Sequence, residues 1–220
     1  MNQAEVVEVL SSRASSYAFV ARAYREEPTL EFLNALASMS PETLSQTGNQ
    51  KLVRFVRQLE KAEPDHICTE LAAEYTALFL NAGKRPVYPF ESVYTSTEKL
   101  LMQRAYDEVL KEYRRAGLER AASFNEPEDH IALELEFMSN LCRRTIEALR
   151  SGNKAAALEA LQWQKDFLNK HLLVWIPQFC RDVEKSTQSD FYQAIALLTV
   201  ELLKSEQETI PALVAEIQAG

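Results

Sequence analysis

Apolar residues recur along this chain every three or four positions, the period of a helix with one buried face. Val6, Leu10, Tyr17, Ala21 and Tyr24 form one such stripe. Ile67, Leu71, Tyr75 and Leu78 form a second, and Ile131, Leu135, Met138, Cys142 and Leu149 a third. Alternating patterns of strand type are scarce. The spacing predicts helices near 3–25, 28–38, 41–46, 50–61, 66–81, 95–116, 127–150, 153–169, 171–185 and 188–206. Pro28, Pro41, Pro64 and Pro127 stand where a first-turn proline belongs, and Gly83, Gly117 and Gly152 where helices should stop. The expected fold is all-α: a single globular helical domain of about ten helices in two loosely defined lobes. The N-terminal lobe would span about 1–116, a connecting loop 117–126 and the C-terminal lobe 127–220.

Composition narrows the function classes. With 220 residues the chain can build a proper core, and 46% hydrophobic with 25% charged residues is ordinary for a globular protein. The 32 acids against 24 bases give a formal charge of −8, and no Lys/Arg-rich block marks a nucleic-acid surface. Such acidity suits a cationic partner as well as it suits solubility. The three cysteines, Cys68, Cys142 and Cys180, are widely spaced among apolar neighbours and read as buried thiols, not as a disulfide framework or a zinc site. No apolar run approaches the roughly 18 to 20 residues of a membrane span. The first residues lack the basic-then-apolar pattern of a signal peptide, so the expected location is the cytoplasm.

Three stretches carry candidate chemistry. Asn125-Glu126-Pro127-Glu128-Asp129-His130 gathers three carboxylates and an imidazole at a loop–helix junction. Acids in a first helical turn satisfy the helix dipole anywhere, yet carboxylates beside a cleft also suit a guanidinium, gripped in bidentate fashion. Residues 82–94 form a proline-rich loop in which Val87, Tyr88, Phe90, Val93 and Tyr94 need apolar surface to pack on. The third, from Trp163 to Phe179, reads as an aromatic helix pair with Pro177 closing or kinking a turn. A carboxylate metal site on Glu63, His66, Glu70, Glu126 and His130 has roughly di-iron spacing, but Pro64 and Pro127 interrupt both copies. There is no Gly-x-Ser-x-Gly elbow and no glycine-rich phosphate loop. No catalytic centre, metal or cofactor is expected.

Taken in order, Glu-Tyr-Thr-Ala-Leu-Phe (74–79), Tyr-Pro-Phe-Glu-Ser-Val-Tyr (88–94), Glu-Pro-Glu-Asp-His (126–130) and Phe-Leu-Asn-Lys-His-Leu-Leu-Val-Trp-Ile-Pro (167–177) resemble the TorD/DmsD-like redox-enzyme maturation chaperones. The resemblance implies a non-enzymatic chaperone. Its partner would be the twin-arginine leader, and sometimes the body, of a molybdopterin-dependent oxidoreductase awaiting its cofactor. The chain is expected as a monomer or a domain-swapped homodimer, and its charge and hydropathy point to no nucleic acid and no stable membrane insertion. The family's leader-recognition motif falls on Glu126, Pro127, Asp129 and His130, and a second motif on Pro89, Ser92 and Tyr94. Tyr88 and Tyr24 would line the same groove, with Glu91 as a further acid. Thr95 stands where the family pattern is apolar, which leaves the client enzyme open. Two rivals follow from the residues: a ferritin-like carboxylate metalloenzyme on the set above, and a helical adaptor that grips a folded partner through its acidic surface.

Overall fold

The computed structural model describes residues 1–38 and 48–219. The helix expected at 41–46, with Pro41, lies outside the described residues. The all-α expectation is what the structure has. Its helices are α1 (Gln3–Arg25), α2 (Leu30–Ala37), α3 (Gln50–Leu59), α4 (Pro64–Phe79), α5 (Glu91–Thr95), α6 (Arg104–Arg115), α7 (Ile131–Arg150) and α8 (Lys154–Phe167). A π-helical turn (Leu168–Leu172) follows, then α9 (Leu173–Ser186) and α10 (Asp190–Ala219). Besides helices, the described residues hold one isolated antiparallel bridge, Phe90 to His130.

Helix ends follow from local chemistry. Thr29, Asn49 and Asn153 cap α2, α3 and α8 by accepting a backbone N–H on their side chains. Pro64 opens α4 as expected. Pro28 lies one residue before the Thr29 cap, and Pro127 lies four residues before α7, so neither is a first-turn proline. Gly117 and Gly152 end α6 and α7 at positive φ (69° and 71°). After α4 that conformation falls to Asn81 (φ 59°). Gly83 answers a different need, since a Cβ there would stand 2.5 Å from the Ala77 carbonyl oxygen.

Three larger differences concern length. Residues 96–103 are not helical, so α6 starts nine residues later than the spacing predicts. α10 runs on to Ala219 with Pro211 inside it, and Ile210, Leu213 and Ile217 extend its buried stripe. The expected aromatic helix pair is one unbroken helical run, and Pro177 sits within α9 instead of closing a turn.

The chain forms two compact units. Unit 1 comprises Met1–Arg22, Phe90–Ile176 and Glu201–Gly220; unit 2 comprises Ala23–Pro89 and Pro177–Val200. Each unit therefore draws on residues from both expected lobes. Within unit 1, α7 is the central element: Ile131, Leu135, Met138 and Cys142 are fully buried. α8 folds back along it after a short turn, and Gln164 donates to the Leu141 carbonyl (3.2 Å) and to Thr145 Oγ1 (2.8 Å). Arg13 of α1 and Glu206 of α10, both buried, form an ion pair that Tyr17 and Gln164 complete. Unit 2 is centred on aromatic rings, with Phe79 in edge or stacked contact with Tyr24, Tyr75, Phe179 and Tyr192. Beside them an open cleft of about 620 Å³ runs past Phe55, Leu71, Glu74 and Asp190. No helix among the described residues is long and apolar enough to cross a membrane.

Candidate functional site

The segment 126–130 is a turn that leads into α7, with His130 as the helix cap. Its Nδ1 accepts the Ala132 N–H (3.1 Å), which leaves the neutral ring's proton on Nε2. The imidazole stands edge-on between Phe90 and Phe124, each with its ring centre 5.2 Å away. Asp129 is fully buried. Its Oδ2 accepts the Ser92 N–H (2.8 Å) and its carbonyl accepts the Glu91 N–H (3.0 Å). α5 is thus fastened at its first two residues to the turn. Burial raises the Asp129 carboxyl above the ordinary range, opposed by the Ser92 hydrogen bonds.

Solvent reaches the other half of the motif. Glu126, Pro127 and Glu128 are half-buried, and Glu128 pairs with Arg120 (3.2 Å) while Tyr106 of α6 lies against it. Arg120 also donates to the Phe124 carbonyl, steadying the loop before the turn.

The second motif behaves similarly. Ser92 is buried, and Tyr94 is half-exposed with its ring 5.5 Å from that of Trp175. Glu91, 3% exposed, bonds His171 Nδ1 through Oε2 (2.9 Å). Pro89, Tyr88 and Tyr24 belong to unit 2. There Pro89 is buried, whereas Tyr88 is exposed and donates its hydroxyl to Asn81 Oδ1 (3.1 Å). Tyr24 is a core residue: fully buried, it meets Phe79 and Phe179 edge-on and bonds Thr199 Oγ1 at 3.2 Å.

The structure adds residues that sequence reasoning did not single out. Glu134, one turn into α7 and fully buried, accepts the Trp175 indole N–H on Oε2 (3.0 Å). Its position three residues after Ile131 puts a charge on the apolar stripe of α7, and that was the available signal. Between α5 and α6, Leu100, Leu101 and Met102 are 53%, 44% and 58% exposed, three consecutive large apolar side chains facing water. Lys99 and Met102 take positive φ there (53° and 55°), so the segment turns outward where helical spacing would have continued.

The residues of the alternative metal set fall in both units. Glu63, His66 and Glu70 lie in unit 2 and Glu126 and His130 in unit 1. His66 instead forms an exposed pair with Glu70 (3.2 Å). No group of three or more His, Cys, Asp or Glu among the described residues is placed to hold a metal ion. Cys142 and Cys180 are buried thiols pushed up to about 12 by desolvation, while Cys68 is only half-buried.

A family model described as the nitrate reductase delta subunit matches residues 40–181. The chain belongs to the nitrate reductase delta subunit family. Curated relatives match over most of the chain. The chaperone protein TorD of Vibrio cholerae (strain O395) is 31% identical over 196 residues, covering 88% of this chain and 84% of the relative. That of Photobacterium profundum is 34% identical over 178 residues, covering 80% and 78%. Among solved structures, one described as a redox enzyme maturation protein from Archaeoglobus fulgidus aligns with a TM-score of 0.50 at 20% identity, covering 84% of this chain and 91% of its own. That likeness shows the fold. The family match takes in both motif segments, 88–94 and 126–130.

Proposed function

We propose that this protein is a non-enzymatic chaperone of molybdoenzyme maturation, and that it holds the twin-arginine leader of a molybdopterin oxidoreductase in the cytoplasm until the cofactor is loaded. The observation that carries the reading is 31% identity along 88% of the chain to a protein named as the chaperone TorD. The geometry of unit 1 supports it. A twin-arginine leader joins a cationic end to an apolar stretch, so its receptor needs reachable carboxylates near reachable apolar surface. Glu126 and Glu128 supply the first and Leu100, Leu101, Met102 and Tyr94 the second. The α5–α6 segment that carries the apolar residues is fastened to the turn that carries the acids through the Ser92 N–H on Asp129, and Tyr106 lies beside Glu128.

In this reading the motif residues divide their work. Glu126 and Glu128 meet the arginines. Asp129 and His130, buried and already bonded, position the turn; Pro127 stiffens it, and Ser92 anchors α5. In unit 2, exposed Tyr88 offers further contact, with buried Pro89 and Tyr24 supporting that unit's surface. The body of the client is bound by surfaces beyond these.

Titration calorimetry with a synthetic leader peptide tests this. The peptide carries two adjacent arginines followed by an apolar stretch of about 15 residues. Micromolar-class binding that weakens with salt is expected, and replacing the arginine pair with glutamines should abolish it. Absence of binding at low salt, or equal binding of the glutamine peptide, overturns the reading. Capture of a client stripped of its leader, with no affinity for the peptide, would favour the adaptor alternative.

A further inference from the structure

Beneath the turn, unit 1 collects an unusual set of buried polar groups. Glu91, Asp129 and Glu134 are 3%, 0% and 0% exposed. Glu91 comes from α5, Asp129 from the turn and Glu134 from α7. Facing them are Tyr113 of α6, His171 of the π-helical turn and the indole of Trp175 at the start of α9. The hydrogen bonds and ion pairs made by the three carboxyls come from His171, Trp175 and backbone N–H groups, and none comes from a lysine or arginine among the described residues. Four buried atoms in this cluster have no hydrogen-bond partner among the described residues: Ser92 Oγ, Tyr113 Oη, Asp129 Oδ1 and Glu134 Oε1.

Three ionised carboxylates against one imidazole, out of water, is a large uncompensated charge. Proteins neutralise such a group instead of burying the charge. Neighbouring carboxyls do so by sharing a proton, and a proton also turns an acceptor into a donor for orphaned oxygens nearby. We propose that the buried Glu134 carboxyl keeps its proton at neutral pH, and that this proton, beside Glu91, seats α5, and with it Ser92 and Asp129, against the start of α7. Burial supports this by lifting the Glu134 carboxyl well above the ordinary range, followed by the adjacent charge of Glu91 and then that of Asp129, against the lowering effect of the Trp175 hydrogen bond. Glu134 is a positioning residue: it acts on the leader only through the turn and α5, and that consequence alone rests on the function proposed above.

The direction of the pH dependence follows. A carboxyl whose affinity for protons is higher in the folded than in the unfolded chain makes the folded state bind more protons between the two values. Stability from it is fully present below the ordinary glutamate value and is lost as pH rises toward the raised one. Alkalinisation, not acidification, should loosen α5.

Three measurements on the full chain test the proposal. Carbon-13 carboxyl spectra of glutamate-labelled wild type should show one glutamate still protonated above about pH 6, as buried carboxyls can be. Ionisation of every glutamate by about pH 7 overturns it. Melting temperature should fall as pH rises from about 5 through neutrality in the wild type and change less in Glu134→Gln, whose amide keeps an acceptor for Trp175 and adds a permanent donor. Parallel curves overturn it. Affinity for the synthetic leader peptide should weaken roughly threefold or more over the same range in the wild type and little in Glu134→Gln. If the wild type binds no peptide at any pH, the leader reading fails while the spectra and melts still decide the proton.

Discussion

Unit 1 buries charge in two places, and the two are built on opposite plans. Between α1 and α10, Arg13 meets Glu206 through two nitrogens, Gln164 takes another Arg13 N–H at 2.8 Å, and Tyr17 donates to Glu206 at 3.0 Å. A cation and an anion cancel, and Gln164 and Tyr17 add further bonds, though Arg13 Nη1 has no partner among the described residues. Beneath the turn lie three buried carboxyls, one of them bonded to an imidazole, and four buried atoms there have no partner among the described residues. The first arrangement joins distant parts of the sequence. The second joins the two motif segments, and its state depends on protons. A buried pair with matched charges secures a fold; a buried cluster of like charges gives the site a setting that conditions can change.

Breaking the matched pair should have the largest effect. Arg13→Met leaves Glu206 buried without its cation and is expected to cost about 3–5 kcal/mol in urea unfolding. Adding Glu206→Leu should recover much of that loss, because burying two apolar side chains of similar size costs far less than burying one charge. A loss under about 1 kcal/mol in the single variant would show that the pair contributes little. Next comes Asp129→Ala, which removes the acceptor of the Ser92 N–H and should cost about 1.5–3 kcal/mol by thermal or urea unfolding. Leader affinity should fall with it, since in the proposed function this carboxyl positions the turn.

His130→Ala is expected to cost about 1 kcal/mol through loss of the α7 cap. Amide exchange should then quicken at Ala132 before it does elsewhere in α7. Smallest in stability is Glu126→Gln, within about 0.5 kcal/mol of wild type because the side chain is half in water. Yet peptide binding should drop severalfold and lose part of its salt dependence. If Glu126→Gln binds as the wild type does, the acids that meet the arginines lie elsewhere.

Much of this fold is legible in the sequence because helical periodicity is a local property. α1 is bounded by Gln3 and Arg25 as its stripe predicts, and the turns at Gly117 and Gly152 are marked by the residue that tolerates positive φ. The misreadings arise where local preference loses to context. Glu98 to Gln103 contains good helix formers and no glycine or proline, yet Lys99 and Met102 adopt positive φ and the apolar triplet points outward. Pro211 suggests a stop, but Ile210, Leu213 and Ile217 continue a stripe whose burial outweighs one missing hydrogen bond. At the site, the motif was readable and its burial was not. Asp129 and His130 are covered by Phe90, Ser92 and Phe124, and residues on the partner segments, Glu91 and Phe90, lie nearly forty positions away in the chain. Nothing within 125–130 announces that.

The π-helical turn at Leu168–Leu172 has a consequence for how this protein can vary. It is one residue more than an α-helix would need between α8 and α9. Removing a single codon there would regularise the helix without breaking it, and would turn everything downstream by about 100° about the axis, the angular step of one residue. His171 would swing off Glu91 and Trp175 off Glu134 together. Lineages that keep the proton cluster should therefore keep the length of this stretch even where they exchange its side chains, and a shortened copy would mark a descendant that has given up the cluster altogether.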